Sequence, residues 1–305
     1  MPFKYMSKIV FDTITSGSIK FPADIRYLFY TVSNKYAEFS QKSIDKIPQH
    51  TAFSLDKTTV LIFGGYRQKI NYTCINAIIE SYLKTKDYNV IECEYLLISK
   101  SDASYIEAVQ NVPTIGQAVA NDVNKLMDLG VSPDRIVFVG HSLGAHIAGT
   151  VGRYTKTKIS KIIGLDPAGP LFDQGFAIPL ATGNAQYVIE IITDGGIYGT
   201  NSPGGDINFF PNYGRRIQPG CPSHFIPFSG RSTDFCSHER SCVYWAEAIQ
   251  SKSFIGVKLD VNGNTKDTAI LEPSLTGKIG NYYLRTATKS PFGLGKAGTK
   301  CLETK

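Results

Sequence analysis

Charge is scarce in this sequence: Asp, Glu, Lys and Arg together make up 19% of its 305 residues, against 42% hydrophobic residues. That balance excludes a disordered chain, a coiled coil and a collagen-like fibre. Lys plus Arg (32) exceeds Asp plus Glu (26) by six, an unclustered surplus. It fits anionic surfaces and gives no footprint for nucleic acid. No Cys-x-x-Cys pair occurs, so zinc-ribbon and thioredoxin-like readings lose their main signal. Long apolar runs are missing too. The longest stretch without a charged residue, Ile136 to Gly152, holds two His, a Ser and four Gly, and is no membrane span. The opening Met1-Pro-Phe-Lys-Tyr-Met-Ser-Lys has no apolar signal-peptide core. Neither an internal repeat nor a Pro/Gly-rich linker divides the chain, so one domain over residues 1–305 is expected.

Apolar, β-rich runs alternate with helical patterns. Strands are expected at 59–63, 88–92, 135–139, 161–165 and 187–192, each nearly continuously apolar as in a sheet buried on both faces. Helices are expected over 74–85 and 115–128, where apolar residues recur every three or four positions. The fold class predicted is α/β, with a mostly parallel sheet covered by helices. Residues 194–236 show little periodicity and are rich in Gly, Pro, Asn and aromatics, which predicts a functional loop such as a lid.

The six cysteines, an even count, suit an oxidising compartment. Proximity along the chain suggests Cys74–Cys93 and Cys221–Cys236, leaving Cys242–Cys301 to tether the tail. The sequon Asn71-Tyr72-Thr73 adds support for secretion.

Gly140-His141-Ser142-Leu143-Gly144 directly follows one expected strand and opens a helical stretch. Such an elbow turns too sharply for side chains at its flanks and holds a serine hydroxyl at a helix N-terminus. Ser142 is therefore the candidate nucleophile, and it needs an adjacent base. The chain order of an α/β-hydrolase, Ser then acid then His, places that base after residue 142. His141 and His146 flank the elbow and read as packing residues. His224 falls in the expected lid, whereas His238 sits beside Cys236 just ahead of a helix and is the better-anchored base. For the acid, Asp166 and Asp194 both follow strand ends and stay equivalent on pattern alone.

Gly140-His-Ser-Leu-Gly-Ala-His146, Gly164-Leu-Asp-Pro-Ala-Gly-Pro170, Phe209-Phe-Pro-Asn212, Gln218-Pro-Gly-Cys221 and Cys236-Ser-His238 together resemble the animal (pancreatic-type) lipase family. Tyr282-Tyr-Leu-Arg-Thr286 and Ser290-Pro-Phe-Gly-Leu-Gly295 extend the match over about residues 20 to 300. The resemblance implies an α/β-hydrolase fold and a secreted hydrolase of lipid acyl esters working at a membrane or emulsion surface. It implies the triad Ser142, Asp166 and His238, and oxyanion donors from the backbone N–H groups of Tyr66 and Leu143. It implies no cofactor, and it leaves the oligomeric state open. Three departures matter. The family pattern His-Gly-aromatic reads Gly64-Gly65-Tyr66, which removes whatever that histidine holds. The two aspartates that bind calcium in vertebrate relatives read Ala181 and Asn184, so no metal is expected there. The sequence stops soon after Cys301, so no β-sandwich for colipase is expected. That end resembles insect neutral lipases and wasp-venom-type phospholipases A1. The lid, about residues 221–236, is shorter than in triglyceride lipases of the family, as in the phospholipase A1 branch, yet longer than the wasp-type lid. Triacylglycerol or galactolipid hydrolysis is the alternative within enzymes. A non-catalytic, yolk-type storage or lipid-binding protein is the alternative outside them.

Overall fold

The computed structural model describes residues 25–32, 35–95, 98, 104–224 and 232–300. Cys301 and the middle of the expected lid, residues 225–231, lie outside the described residues. The five apolar runs read from sequence form strands β3 (Thr58–Phe63), β4 (Tyr88–Tyr95), β5 (Ile136–His141), β6 (Lys161–Leu165) and β7 (Tyr187–Ile191). Six more flank them: β1 (Ile25–Tyr30), β2 (Tyr36–Ser40), β8 (Ile207–Pro211), β9 (Ile255–Leu259), β10 (Thr265–Ile270) and β11 (Gly280–Leu284). All join one sheet in the order β10-β9-β11-β8-β7-β6-β5-β3-β4-β1-β2. From β4 across to β11 every pairing is parallel, and antiparallel strands close both edges. This is the α/β-hydrolase arrangement.

Two layers of helix cover the sheet. On one face lie α2 (Tyr105–Asp128) and α3 (Leu143–Tyr154), packed over Leu61, Phe63, Phe138 and Ile162. They approach closely: a Cβ on Gly116 would sit 2.4 Å from Thr150 Cγ2. On the other face α1 (Thr73–Thr85) and α4 (Cys236–Gln250) cover Val60, Ile62, Val139 and Ile189, with Trp245 fully buried among them. Helix α2 starts ten residues before the expected 115. Ser104 and Glu107 cap its first turn reciprocally, at 3.2 and 2.9 Å, and Ala108, Val109 and Val112 continue its buried stripe.

The sheet itself corrects two of the expected disulfides. Cys74, at the start of α1, is bonded to Cys242 on α4, and Cys221 to Cys236 as expected. Cys93 on β4 is a free, buried thiol facing the opposite layer, among Tyr27, Leu61 and Ile115. Strand alternation sends it away from α1, so nearness in sequence is no nearness in space. The pairings Cys74–Cys93 and Cys242–Cys301 therefore do not form. The segment from 194 is also more regular than its composition suggests: it contains β8, which pairs β7 and β11, and Phe209 is buried in the core.

Candidate active site

Parallel strands that all point one way deliver their carboxyl ends to one edge of the sheet, and loops leaving that edge meet there. Strand β5 ends at His141, and Ser142 follows with φ 56° and ψ −122°, a conformation costing about 1–3 kcal/mol for a side-chain-bearing residue. Its flanks explain the glycines. A Cβ on Gly140 would meet Gly144 O at 2.4 Å, and one on Gly144 would meet Phe63 O at 2.2 Å. The strained backbone is held from the next strand, where Ser142 N–H donates to Leu165 O at 3.0 Å. Leu143 is the first residue of α3, so its N–H belongs to the helix end that has no intrahelical acceptor.

Asp166 follows β6 and is fully buried. Its Oδ1 accepts from the N–H groups of Thr193 (2.7 Å) and Asp194 (2.9 Å), and its Oδ2 lies 2.6 Å from Nδ1 of His238. Asp194 turns away: its carboxylate takes two bonds from the Arg216 guanidinium, at 2.7 and 2.5 Å. Burial pushes the Asp194 carboxyl up to about 6 while Arg216 pulls it down. Of the two aspartates that the sequence left equivalent, Asp166 is the one hydrogen-bonded to an imidazole, and Asp194 is the one bonded to a guanidinium. His238 sits on the first turn of α4, 4% exposed, with the Tyr198 ring 5.6 Å away. The helix begins at Cys236, clasped to Cys221, so His238 lies within it rather than just ahead of it. His224 is exposed at the edge of the described loop.

His146 packs as expected. Its ring stacks on Phe172 at 3.6 Å, bonds Ala168 O at 2.8 Å and accepts from Leu180 N–H at 2.9 Å, and burial pushes its pKa down to about 4. His141 is more than packing. Its ring lies 4.5 Å from that of His238, and burial holds its pKa well below the ordinary value, with His238 adding to the effect. Its Nδ1 meets Gln68 Nε2 at 2.8 Å, and Gln68 Oε1 accepts from Gly65 N–H at 2.6 Å. Gln68 went unread in the sequence, since a lone glutamine 73 positions from its partner leaves no spacing signal. The Gly64-Gly65-Tyr66 loop gains a second hold from the Tyr95 hydroxyl, which donates to Gly64 O.

Ser142 and His238 open into one cleft of about 470 Å³, walled by Tyr66, Tyr72, Tyr105, Tyr198 and Phe235, with Arg67 and Gln68 at its side. Ligand atoms of Asp166, Asp194 and His238 lie within 4.8 Å of one another, but each is engaged in the bonds described. A second grouping, Cys74, Cys242 and His141, has its sulfurs joined in the disulfide. At the position read as lacking calcium ligands, Arg153 donates to Asn184 Oδ1 and to Pro179 O, each at 3.2 Å.

A profile of the family described as Lipase matches residues 10–262. The chain belongs to the lipase family. Phospholipase A1 member A of Rattus norvegicus is 35% identical over 205 residues, 67% of this chain and 44% of that protein. Pancreatic triacylglycerol lipase of Oryctolagus cuniculus is 35% identical over 243 residues, 73% of this chain and 51% of that protein. This lipase-family chain thus spans about half the length of the curated relatives it matches. Among solved structures, MGS-M1, an α/β hydrolase from a Medee basin deep-sea metagenome library, aligns at 18% identity. It covers 56% of this chain and 69% of that one with a TM-score of 0.31, so the fold rests on the strand order instead.

Proposed function

We propose that the protein hydrolyses acyl esters of lipids through an acyl-enzyme on Ser142, with phospholipids cleaved at the sn-1 position as its substrate class. The observation that carries this is the buried Asp166–His238 bond of 2.6 Å opening into the same cleft as the strained Ser142. With Nδ1–H donated to Asp166, the imidazole presents the lone pair of Nε2 to the cleft. It then takes the Ser142 proton as the hydroxyl attacks the ester carbonyl, and returns it to the departing alcohol. A water repeats the sequence to free the fatty acid. Asp166 stabilises the imidazolium and keeps its own charge. Negative charge developing on the carbonyl oxygen meets the N–H groups of Leu143 and Tyr66.

The aromatic walls of the cleft suit an acyl chain, and its volume falls within the range of about 300–1,000 Å³ usual for ligand sites. Arg67 beside them adds positive charge, which favours a phosphate head group over a neutral triglyceride. The similarity to phospholipase A1 member A supports the same reading, and the similarity to pancreatic triacylglycerol lipase supports triglyceride hydrolysis as the second one. Secretion is supported by the two disulfides and by the exposed Asn71 of the sequon. An endoglycosidase-sensitive mass shift that Asn71→Gln abolishes is the expected check.

Fatty acid release is to be measured from phosphatidylcholine vesicles and from triolein emulsion, with Ser142→Ala as control. The expected result is sn-1 release from phosphatidylcholine, lost in the variant by about 10³-fold or more. Triolein hydrolysis without sn-1 release transfers the reading to a triacylglycerol lipase. Hydrolysis of neither overturns the enzyme.

A further inference from the structure

Three separate pieces of backbone must keep register for the proposed chemistry: the loop after β3 that carries Tyr66, the elbow after β5 that carries Ser142, and the first turn of α4 that carries His238. One run of side-chain bonds joins them. Only the oxygen of the Gln68 amide can accept from Gly65 N–H, which fixes Gln68 Oε1 on the loop (2.6 Å) and turns Gln68 Nε2 toward His141 (2.8 Å). His141 is buried and held neutral, so Nδ1 accepts from Gln68 and the proton sits on Nε2. That N–H points at the carbonyl oxygen of His238, 3.4 Å away, which also accepts from Ser241 Oγ at 2.9 Å. The loop and the elbow are in contact where this run crosses them: a Cβ on Gly65 would stand 2.9 Å from Ser142 Cβ and 3.1 Å from His141 O.

We propose that Gln68 is a positioning residue for ester hydrolysis. It sets the Gly65–Tyr66 backbone against Ser142 and, through His141, steadies the turn that holds His238. This rests on the hydrolase reading above. It also answers what holds the loop where residue 64 is glycine: a side chain from inside the loop, four residues on, takes over from its first position. Gln68 touches none of the reacting atoms, so its contribution is to kcat through placement. A displacement of about 1 Å at such a site costs on the order of 10²-fold.

The test compares Gln68→Leu and Gln68→Glu with wild type on a soluble short-chain ester, following kcat, KM, the rate of phosphonylation by a fluorophosphonate, and the melting temperature. Glutamate keeps the acceptor for Gly65 N–H and loses the donor to His141. The expected result for Gln68→Leu is a kcat lower by about 10- to 100-fold, with phosphonylation slowed in parallel and KM within about twofold. Gln68→Glu should fall between it and wild type, and both should melt within a few degrees of wild type. Equal kcat in wild type and Gln68→Leu overturns the proposal. So does a loss in both variants that only follows a fallen melting temperature. If Gln68→Leu does not fold, Gln68→Glu with wild-type kcat overturns it. An inactive wild type brings down the hydrolase reading and this role with it, whereas an active wild type with indifferent variants brings down this role alone.

Discussion

Replacing Asp166 with Asn is the substitution whose effect the geometry determines most tightly. The new side chain has one oxygen and one NH2 where the carboxylate had two acceptors. Two backbone donors, Thr193 N–H at 2.7 Å and Asp194 N–H at 2.9 Å, claim the oxygen. Flipping the amide would strand both donors in a fully buried site, at about 1–3 kcal/mol each. The NH2 group must then face His238 Nδ1, donor against donor, so the imidazole moves its proton to Nε2. In that tautomer it cannot accept a proton from Ser142. The expected loss in kcat is about 10⁴-fold, the figure known for the equivalent change in a serine protease triad. Asp194→Asn is the matched control. It keeps its N–H on Asp166 and removes the carboxylate from Arg216, whose side chain is 6% exposed. The cost there is stability, about 3–5 kcal/mol for a broken buried pair, with kcat of the folded protein within about tenfold. Steady-state kinetics on a soluble ester, paired with denaturant titration, separates the two. Equal kcat losses, or Asp166→Asn within tenfold of wild type, would mean that Asp166 does not set the His238 tautomer.

Glu190 is fully buried on β7, with Oε2 unpartnered, and burial pushes its pKa up to about 8. The folded state therefore holds this proton more tightly than the unfolded chain, so its contribution to stability is lost as pH rises from about 4.5 through about 8. Glu190→Gln should remove that slope, a difference on the order of 4 kcal/mol across the window by denaturant titration at several pH values. Parallel curves would count against it. The Cys74–Cys242 bond spans 168 residues and, by chain entropy, is worth about 5 kcal/mol. Non-reducing peptide mapping should find it, with Cys93 alkylated only after unfolding, and a Cys74–Cys93 peptide would contradict the fold. Gly140→Ala places a Cβ 2.4 Å from Gly144 O and 2.6 Å from Ala145 Cα, both backbone atoms that cannot yield cheaply. It should abolish hydrolysis and lower the yield of folded protein, and wild-type activity would disprove the tight elbow.

The parallel centre of the sheet was legible because strands buried on both faces leave an unbroken apolar signature, and the elbow because its glycines answer to sterics rather than to taste in composition. The edge strands were not. β2 and β10 are largely exposed, so no apolar run marks them. The start of α2 was hidden behind Pro113, although Ser104 and Glu107 carried a readable cap. Cysteine pairing needs to know which face of the sheet a side chain takes, and distance along the chain does not contain that. Asp166 and Asp194 occupy equivalent strand ends, and what separates them is Arg216, whose approach depends on a loop with no periodicity. Gln68 is the same kind of case, a contact made wholly by tertiary folding.

Whether Ser142 is a nucleophile activated by His238 is decided by mapping a fluorophosphonate adduct with peptide mass spectrometry. A single adduct is expected on the peptide bearing Ser142, absent from Ser142→Ala and slowed in Asp166→Asn far more than in Asp194→Asn. No adduct on folded wild-type protein, or one that persists in Ser142→Ala, would contradict that role for Ser142.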